Sequence, residues 1–202
     1  RKNFVTHVPI LDIKSRELPP TNIPLTMDEQ KKVEKAIQLN MFQCPGDSLL
    51  ASLCFYHGLG SSEIKCIKIS DIDIDKKKIN LKNRPPAYLL KDELRMLSSY
   101  LSERRGIKNV INKPYLFVSV SSGEIYRNNP VSTRFIRERV KNITDFSPKT
   151  LRITCFNIIA ANFGPQLLVE GFGLSITQAS RYGKLEDYLI EELIEEQRKH
   201  FK

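Results

Sequence analysis

One arginine inside an apolar helix constrains this chain more than any other feature. Residues 147–164 read S-P-K-T-L-R-I-T-C-F-N-I-I-A-A-N-F-G. Ser147 suits an N-cap, Pro148 the first helical position and Gly164 the end. Leu151, Cys155, Ile158 and Ile159 fall on one stripe at helical spacing, and Ile153 and Phe156 widen it. The spacing therefore predicts a largely buried helix with Arg152 in it. A buried unpaired guanidinium is costly, so Arg152 requires an anion. On a structural reading the anion is a carboxylate. On a functional reading it is a phosphate, which arginine grips with two parallel donors.

The residues around that helix resemble the catalytic domain of the tyrosine recombinases, also called phage integrases. That family carries His-x-Leu-Arg at the start of a buried helix, Leu-Gly-His about a helix later, and a nucleophilic Tyr nine residues beyond. Here Lys149-Thr150-Leu151-Arg152 fits the first motif with Lys in place of His. Gly171-Phe172-Gly173 fits the second with Gly in place of His, and Tyr182 lies nine residues past Gly173. Upstream, Gly58-Leu59-Gly60 and Ser62-Glu63-Ile64, followed by Asp71-Ile72-Asp73, are similar to the family's Gly-Leu-Arg-x-Ser-Glu-Leu…Asp-Ile-Asp signature. The family's first catalytic Arg would stand at position 60, where this chain has Gly60. The resemblance runs from about Leu25 to Tyr182 and rests on the joint register of these motifs.

Charge points the same way. The chain has 32 basic and 23 acidic residues among 202, a net +9. The last twenty hold four basic and six acidic ones, so Arg1 to Tyr182 carries 28 against 17, or +11. That surplus favours a polyanionic partner. No apolar run reaches membrane-spanning length and no signal peptide is visible. Cys44, Cys54, Cys66 and Cys155 form no C-x-x-C pair, and His7, His57 and His200 have no metal or triad spacing. Buried reduced thiols in a cytosolic protein, with no zinc site and no cofactor, are the expectation. His57 is read as a capping residue at a helix end rather than a site residue. The chain begins with Arg1 and is read as part of a longer protein.

Taken in order, Arg1 to Ile23, with Pro9, Pro19 and Pro20, reads as an extended arm. Thr26-Met27-Asp28-Glu29 is a capping box that opens a helix to about Asn40, with Leu25 as a hydrophobic staple. Asp47 is expected to cap an apolar helix from Leu49 to His57, ending near Gly58. Strands are expected at Ile67–Asp75, Lys78–Lys82 and Ala87–Leu90, with a turn at Asn83-Arg84-Pro85-Pro86. Lys91–Arg105 reads as an amphipathic helix with Leu94, Leu97, Tyr100 and Leu101 inward and Arg104-Arg105 at its C-terminus, where cations are favoured. Tyr115–Ser119 reads as a buried strand. A helix from about Asn129 carries Arg134, Arg137, Arg139 and Lys141 on a basic face, either solvated or against phosphates. After Gly183, Leu185, Leu189, Ile190, Leu193 and Ile194 form the apolar seam of a docking helix.

The expected fold is α+β and mainly α-helical, with a small antiparallel sheet. It comprises an arm (1–24), a recombinase-like catalytic domain (25–182) and a C-terminal docking helix (183–202). The resemblance implies the following roles. Tyr182 is the nucleophile or its remnant, and Arg152 and Lys149 are phosphate ligands. Gly60 and Gly173 are substituted catalytic positions. Lys82 or Arg84 stands where the family carries its general-acid Lys, on a hairpin. Lys82, Arg84, Arg134, Arg137 and Arg181 are DNA contacts. Glu63 is read as a helix cap or support. The family's transition state gathers negative charge, so each lost donor costs about 10²–10³ in rate. The expectation is a DNA-binding, intracellular recombination factor whose catalysis is degenerate, with double-stranded DNA as partner and residues 183–202 mediating self-association or docking on a partner recombinase. The alternative is an active recombinase in which Tyr182 forms a 3′-phosphotyrosyl link.

Overall fold

The computed structural model describes residues 23–107, 110, 113–121, 124–125 and 130–183. The expected arm and docking helix lie outside these residues, except for residues 23–24 and Gly183. Helix α1 (Met27–Asn40) starts on the expected capping box, with the Thr26 N–H donating to Glu29 Oε2 at 2.8 Å. Leu25 does not form a staple, because the residue it would meet is Gln30, whose side-chain amide donates to the Leu25 carbonyl at 2.8 Å. Leu25 instead enters the core and donates its N–H to Thr154 Oγ1 at 2.9 Å.

Helix α2 (Pro45–Phe55) is the axis of the domain. Every residue of it except Asp47 is buried, and α1, α4, α5 and α6 pack around it. A helix apolar on all sides can only be stable in that central place. It starts at Pro45, earlier than expected, because a proline is preorganised for the first helical turn. Asp47 therefore caps nothing and pairs with Arg139 at 3.2 Å. Helix α3 (Ser61–Ile64) follows, then a short 3₁₀ turn (Ile69–Asp71). That turn interrupts the expected first strand and leaves only Ile72–Asp73 of it as strand, and the Asp71 carboxylate holds the turn by taking the Lys68 N–H at 2.8 Å.

Strands β1 (Ile72–Asp73), β2 (Lys78–Leu81) and β3 (Arg84–Tyr88) form an antiparallel sheet in the order β1-β2-β3. The expected turn over residues 83–86 is corrected here: β3 begins at Arg84, and Leu81 pairs with Arg84. Pro85 and Pro86 are accommodated because β3 is an edge strand.

Helix α4 (Lys91–Arg105) has the expected bounds. Arg104 is not a solvated C-terminal cation. It is buried and donates to the carbonyls of Lys113, Tyr115 and Leu116 at 2.8, 2.9 and 3.2 Å. It thereby anchors the segment expected as a strand, which makes only an isolated bridge from Tyr115 to Lys68. Strands β4 (Val120–Ser121) and β5 (Glu124–Ile125) pair antiparallel. Helix α5 (Thr133–Thr144) starts on a Ser132 cap, in the residues just after Asn129. Helix α6 (Pro148–Phe163) is the arginine-bearing helix, capped by Ser147 and closed by Gly164 as its sequence requires. Short helices α7 (Gln166–Glu170) and α8 (Ile176–Ala179) complete the chain up to Tyr182.

Two apolar clusters result. The larger joins α1, α2, α4, α5 and the start of α6. The smaller joins Cys155, Phe156 and Ala160 of α6 to Leu168, Leu174 and Ala179, with Phe172 and Tyr182 packed against it. Arg152 lies between Leu151 of the first cluster and Cys155 of the second. Among the described residues no helix is long and apolar enough to cross a membrane.

Candidate active site

The anion that Arg152 requires is Glu63. Arg152 Nη1 lies 3.2 Å from Glu63 Oε2. Glu63 is the third residue of α3, and the same Oε2 accepts the Gly60 N–H at 2.8 Å. The capping reading of Glu63 thus describes one of its bonds. Its other oxygen faces a second guanidinium, with Arg84 Nη1 at 3.4 Å from Oε1. Two arginines from distant elements, α6 and β3, share one carboxylate.

The two cations differ in surroundings. The Arg152 side chain is 33% exposed and that of Arg84 only 6%. Arg84 points inward rather than to solvent. Its Nη2 donates to the His57 carbonyl at 2.9 Å, while its Nε is buried without a partner. Burial lowers the pKa of Arg84, opposed by Glu63. With one carboxylate between two guanidiniums, the cluster holds a surplus positive charge.

Two phenylalanines form the floor. Arg152 lies over the Phe156 ring at 5.1 Å and Arg84 over Phe172 at 5.2 Å. The rings of Phe156 and Phe172 meet edge to face at 5.7 Å. Cation–aromatic contacts of this kind orient a guanidinium without neutralising it. Tyr182 joins the same floor, its ring edge-on to Phe156 at 5.6 Å. Burial pushes its hydroxyl above the ordinary phenol range, against the pull of Arg152 and Arg181. At neutral pH Tyr182 is therefore a phenol and a weak nucleophile. Cys155 lies within the field of both arginines, yet burial pushes its thiol up to about 12.

The two substituted positions touch the two arginines. A Cβ on Gly60 would lie 2.6 Å from Arg152 Nη1. A Cβ on Gly173, whose φ is +67°, would lie 2.9 Å from Arg84 Cβ and 3.2 Å from the Asn83 carbonyl oxygen. The structure thus brings together Arg152, Arg84, Tyr182, Gly60 and Gly173. Lys149 is exposed one helical turn before Arg152, on the face that continues to Phe156. Lys82 is exposed between β2 and β3, and Arg181 is exposed beside Tyr182. Arg134 and Arg137 stand apart on α5, where Arg134 pairs with Glu138 at 2.7 Å.

Sequence reasoning did not single out Phe156 and Phe172 as the floor. The spacing of Phe156 four residues after Arg152 is the signal that marks it. His57 does not act through a helix end. Its ring bonds Glu93 at 2.8 Å, in a buried cluster where Glu93 also accepts from Ser52 and from the Leu90 N–H at 2.7 Å. Among the described residues no group of three or more His, Cys, Asp or Glu side chains is placed to hold a metal ion.

No protein-family model matches the chain, and no curated protein matches its sequence significantly. Solved structures do match. XerA recombinase superposes with a TM-score of 0.63 at 22% identity, covering 87% of this chain and 65% of XerA. XerH site-specific recombinase, bound to its difH substrate before cleavage, gives 0.63 at 18% identity, covering 82% of this chain and 51% of XerH. The Tn1549 transposon integrase, in complex with circular intermediate DNA, gives 0.56 at 16% identity, covering 85% of this chain and 67% of the integrase. The chain therefore spans between about half and two thirds of the length of these proteins. At such identities the likeness is one of fold: helices packed around α2, a small antiparallel sheet at their side, and α6 carrying Arg152 together make the tyrosine-recombinase catalytic-domain fold.

Proposed function

We propose that this chain binds double-stranded DNA as a recombinase-like accessory or regulatory factor and cleaves it poorly or not at all. The observation that carries this reading is the Arg152–Glu63 pair at 3.2 Å, beside a position 60 with no side chain. The ligand-facing arginine is held by an internal carboxylate, and no histidine stands at either altered family position. Lys149, Lys82, Arg137 and Arg181 are exposed cations available to a DNA backbone. The +11 charge of Arg1 to Tyr182 supports the same partner. The solved structures of XerH and of the Tn1549 integrase hold DNA, which is the partner this fold presents there.

Duplex binding should fall steeply between about 50 and 200 mM salt, because each phosphate contact releases condensed counterions. A flat salt dependence, or no binding to any duplex, removes the reading. On nicked duplex carrying its own site the chain should form no covalent adduct, or traces. Tyr182→Phe should leave duplex affinity unchanged.

One observation favours a second reading, in which the chain is an active site-specific recombinase. Arg84 provides a second guanidinium beside Arg152, as a phosphate clamp requires. A denaturation-resistant protein–DNA adduct in good yield, lost in Tyr182→Phe, decides for this reading. The docking role proposed for residues 183–202 has its own test. Leu189→Asp with Leu193→Asp should abolish cooperative assembly on DNA, or lower the melting temperature if the segment packs within its own domain.

A further inference from the structure

We infer that Arg84 is a positioning residue of this site: by drawing on Glu63 from the buried side, it leaves Arg152 able to take a phosphate oxyanion from the open side. The inference rests on the proposed DNA-binding reading in one respect, that the natural anion is a backbone phosphodiester.

Glu63 offers one oxygen to each arginine, Oε1 to Arg84 at 3.4 Å and Oε2 to Arg152 at 3.2 Å. Oε2 is also held by the Gly60 N–H at 2.8 Å. The carboxylate is therefore tethered on its own helix start and cannot follow Arg152 outward. Two guanidiniums against one carboxylate leave one positive charge over. At Arg84 that surplus cannot be met by solvent, because its side chain is 6% exposed and its Nε has no partner. Arg152, 33% exposed, is the place where an incoming anion can meet it. Buried charge left without a counter-charge is unfavourable, so the cluster is electrostatically incomplete until an anion arrives. Inorganic phosphate and a phosphodiester share the oxyanion chemistry that a guanidinium recognises.

The two altered positions explain why this arrangement fits. Arg152 Nη1 occupies the space that a side chain at position 60 would need, at 2.6 Å from a Cβ there. The stem of Arg84 passes Gly173 at 2.9 Å from a Cβ there, and the positive φ of Gly173 favours glycine. The absence of side chains at 60 and 173 is thus the steric condition for the Arg84–Glu63–Arg152 cluster. The hairpin arginine stands in for a guanidinium that position 60 lacks, but from behind the carboxylate rather than on the phosphate itself.

The test is a charge-balance cycle read by phosphate affinity. Inorganic phosphate is titrated by calorimetry into the full chain at fixed ionic strength. Glu63→Gln keeps the bond to the Gly60 N–H and raises the surplus by one charge, so phosphate should bind about tenfold more tightly. Arg84→Met cancels the surplus and should weaken binding about tenfold. The double variant E63Q/R84M restores one surplus charge and should return within about threefold of the unaltered chain. Arg84→Lys, which keeps the charge, should bind more tightly than Arg84→Met. A purely structural Arg84 would change unfolding midpoints in this series and leave phosphate affinity alone, which overturns the inference. Should Arg84→Met not fold, Glu63→Gln decides by itself, and an unchanged phosphate affinity in it overturns the inference. Phosphate binding that follows the cycle in a chain that binds no duplex removes the DNA reading and leaves this one standing. Duplex binding with a flat cycle does the reverse.

Discussion

Glu63 and Glu93 are the same residue doing the same local job in two regions of the molecule. Each is the third residue of its helix, and each accepts the N–H of the residue before the helix, at 2.8 Å for Gly60 and 2.7 Å for Leu90. Beyond that bond they part. Glu93 is 1% exposed and is completed by neutral donors and one imidazole: Ser52, His57 and the Leu90 N–H. Glu63 is 29% exposed and is contested by two guanidiniums. A sealed carboxylate with all its acceptor sites filled fixes a core. A half-open carboxylate outnumbered by cations leaves charge to be answered by something else. The lesson is that a capping glutamate becomes part of a site through what the rest of the fold brings to its second face.

The comparison breaks most sharply in stability. Glu93→Ala should cost about 3 kcal/mol in denaturant unfolding, because it strands buried donors on Ser52, His57 and Leu90. Glu63→Ala should cost less, about 2 kcal/mol, since of the two guanidiniums it leaves without a counter-charge only Arg84 is buried. Arg152 then turns to water, and Arg84 keeps the His57 carbonyl. Equal losses in the two variants would erase the distinction between core and site.

The glycines sharpen the contrast at a smaller scale. Gly173→Ala places a Cβ at a φ of +67° and against Arg84 Cβ and the Asn83 carbonyl, so about 1–2 kcal/mol should be lost. Gly60→Ala meets the far end of a flexible arginine and should cost less than about 1 kcal/mol. The same variant displaces Arg152 and should weaken phosphate binding. A Gly60→Ala chain that is strongly destabilised, with phosphate affinity intact, would contradict the seat assigned to Arg152.

The smallest effect is in thiol reactivity. Exposed Cys44 and Cys66 should be alkylated readily at pH 8, and buried Cys155 about a hundredfold or more slowly. The pKa of Cys155 is raised on folding, from 9.0 to about 12, so its contribution to stability is complete below about pH 9 and is lost as pH rises towards 12. Glu63→Gln should speed Cys155 alkylation a few-fold, since Arg84 and Arg152 then lack their counter-charge. An unchanged rate would mean that Glu63 does not hold the field of the two arginines.

The bounds of α1, α4 and α6 were legible in the sequence because their signals are local. Thr26 with Glu29, Ser147 with Pro148, and Gly164 each act within a turn or so of backbone. The demand of Arg152 for an anion was legible for the same reason, being a property of one residue in an apolar helix. The strands were read less well. Pro85 and Pro86 signal a turn unless the strand is an edge, and edge or centre is a relation between strands. Arg104 read only as a cation favoured at a helix C-terminus because the carbonyls that bury it arrive from residues 113–116.

By itself, the sequence determined that a buried guanidinium needs a partner, that the residues leading to Gly58 form an apolar helix, and that positions 60 and 173 lack the side chains of the family it resembles. Only the tertiary structure decided that the partner is Glu63, that Arg84 turns inward to share it, and that Phe156 and Phe172 carry both cations. Propensity and capping act over a few residues of one chain segment. Charge pairing acts through space, and Glu63, Arg84 and Arg152 meet only after α3, β3 and α6 have packed around the same core.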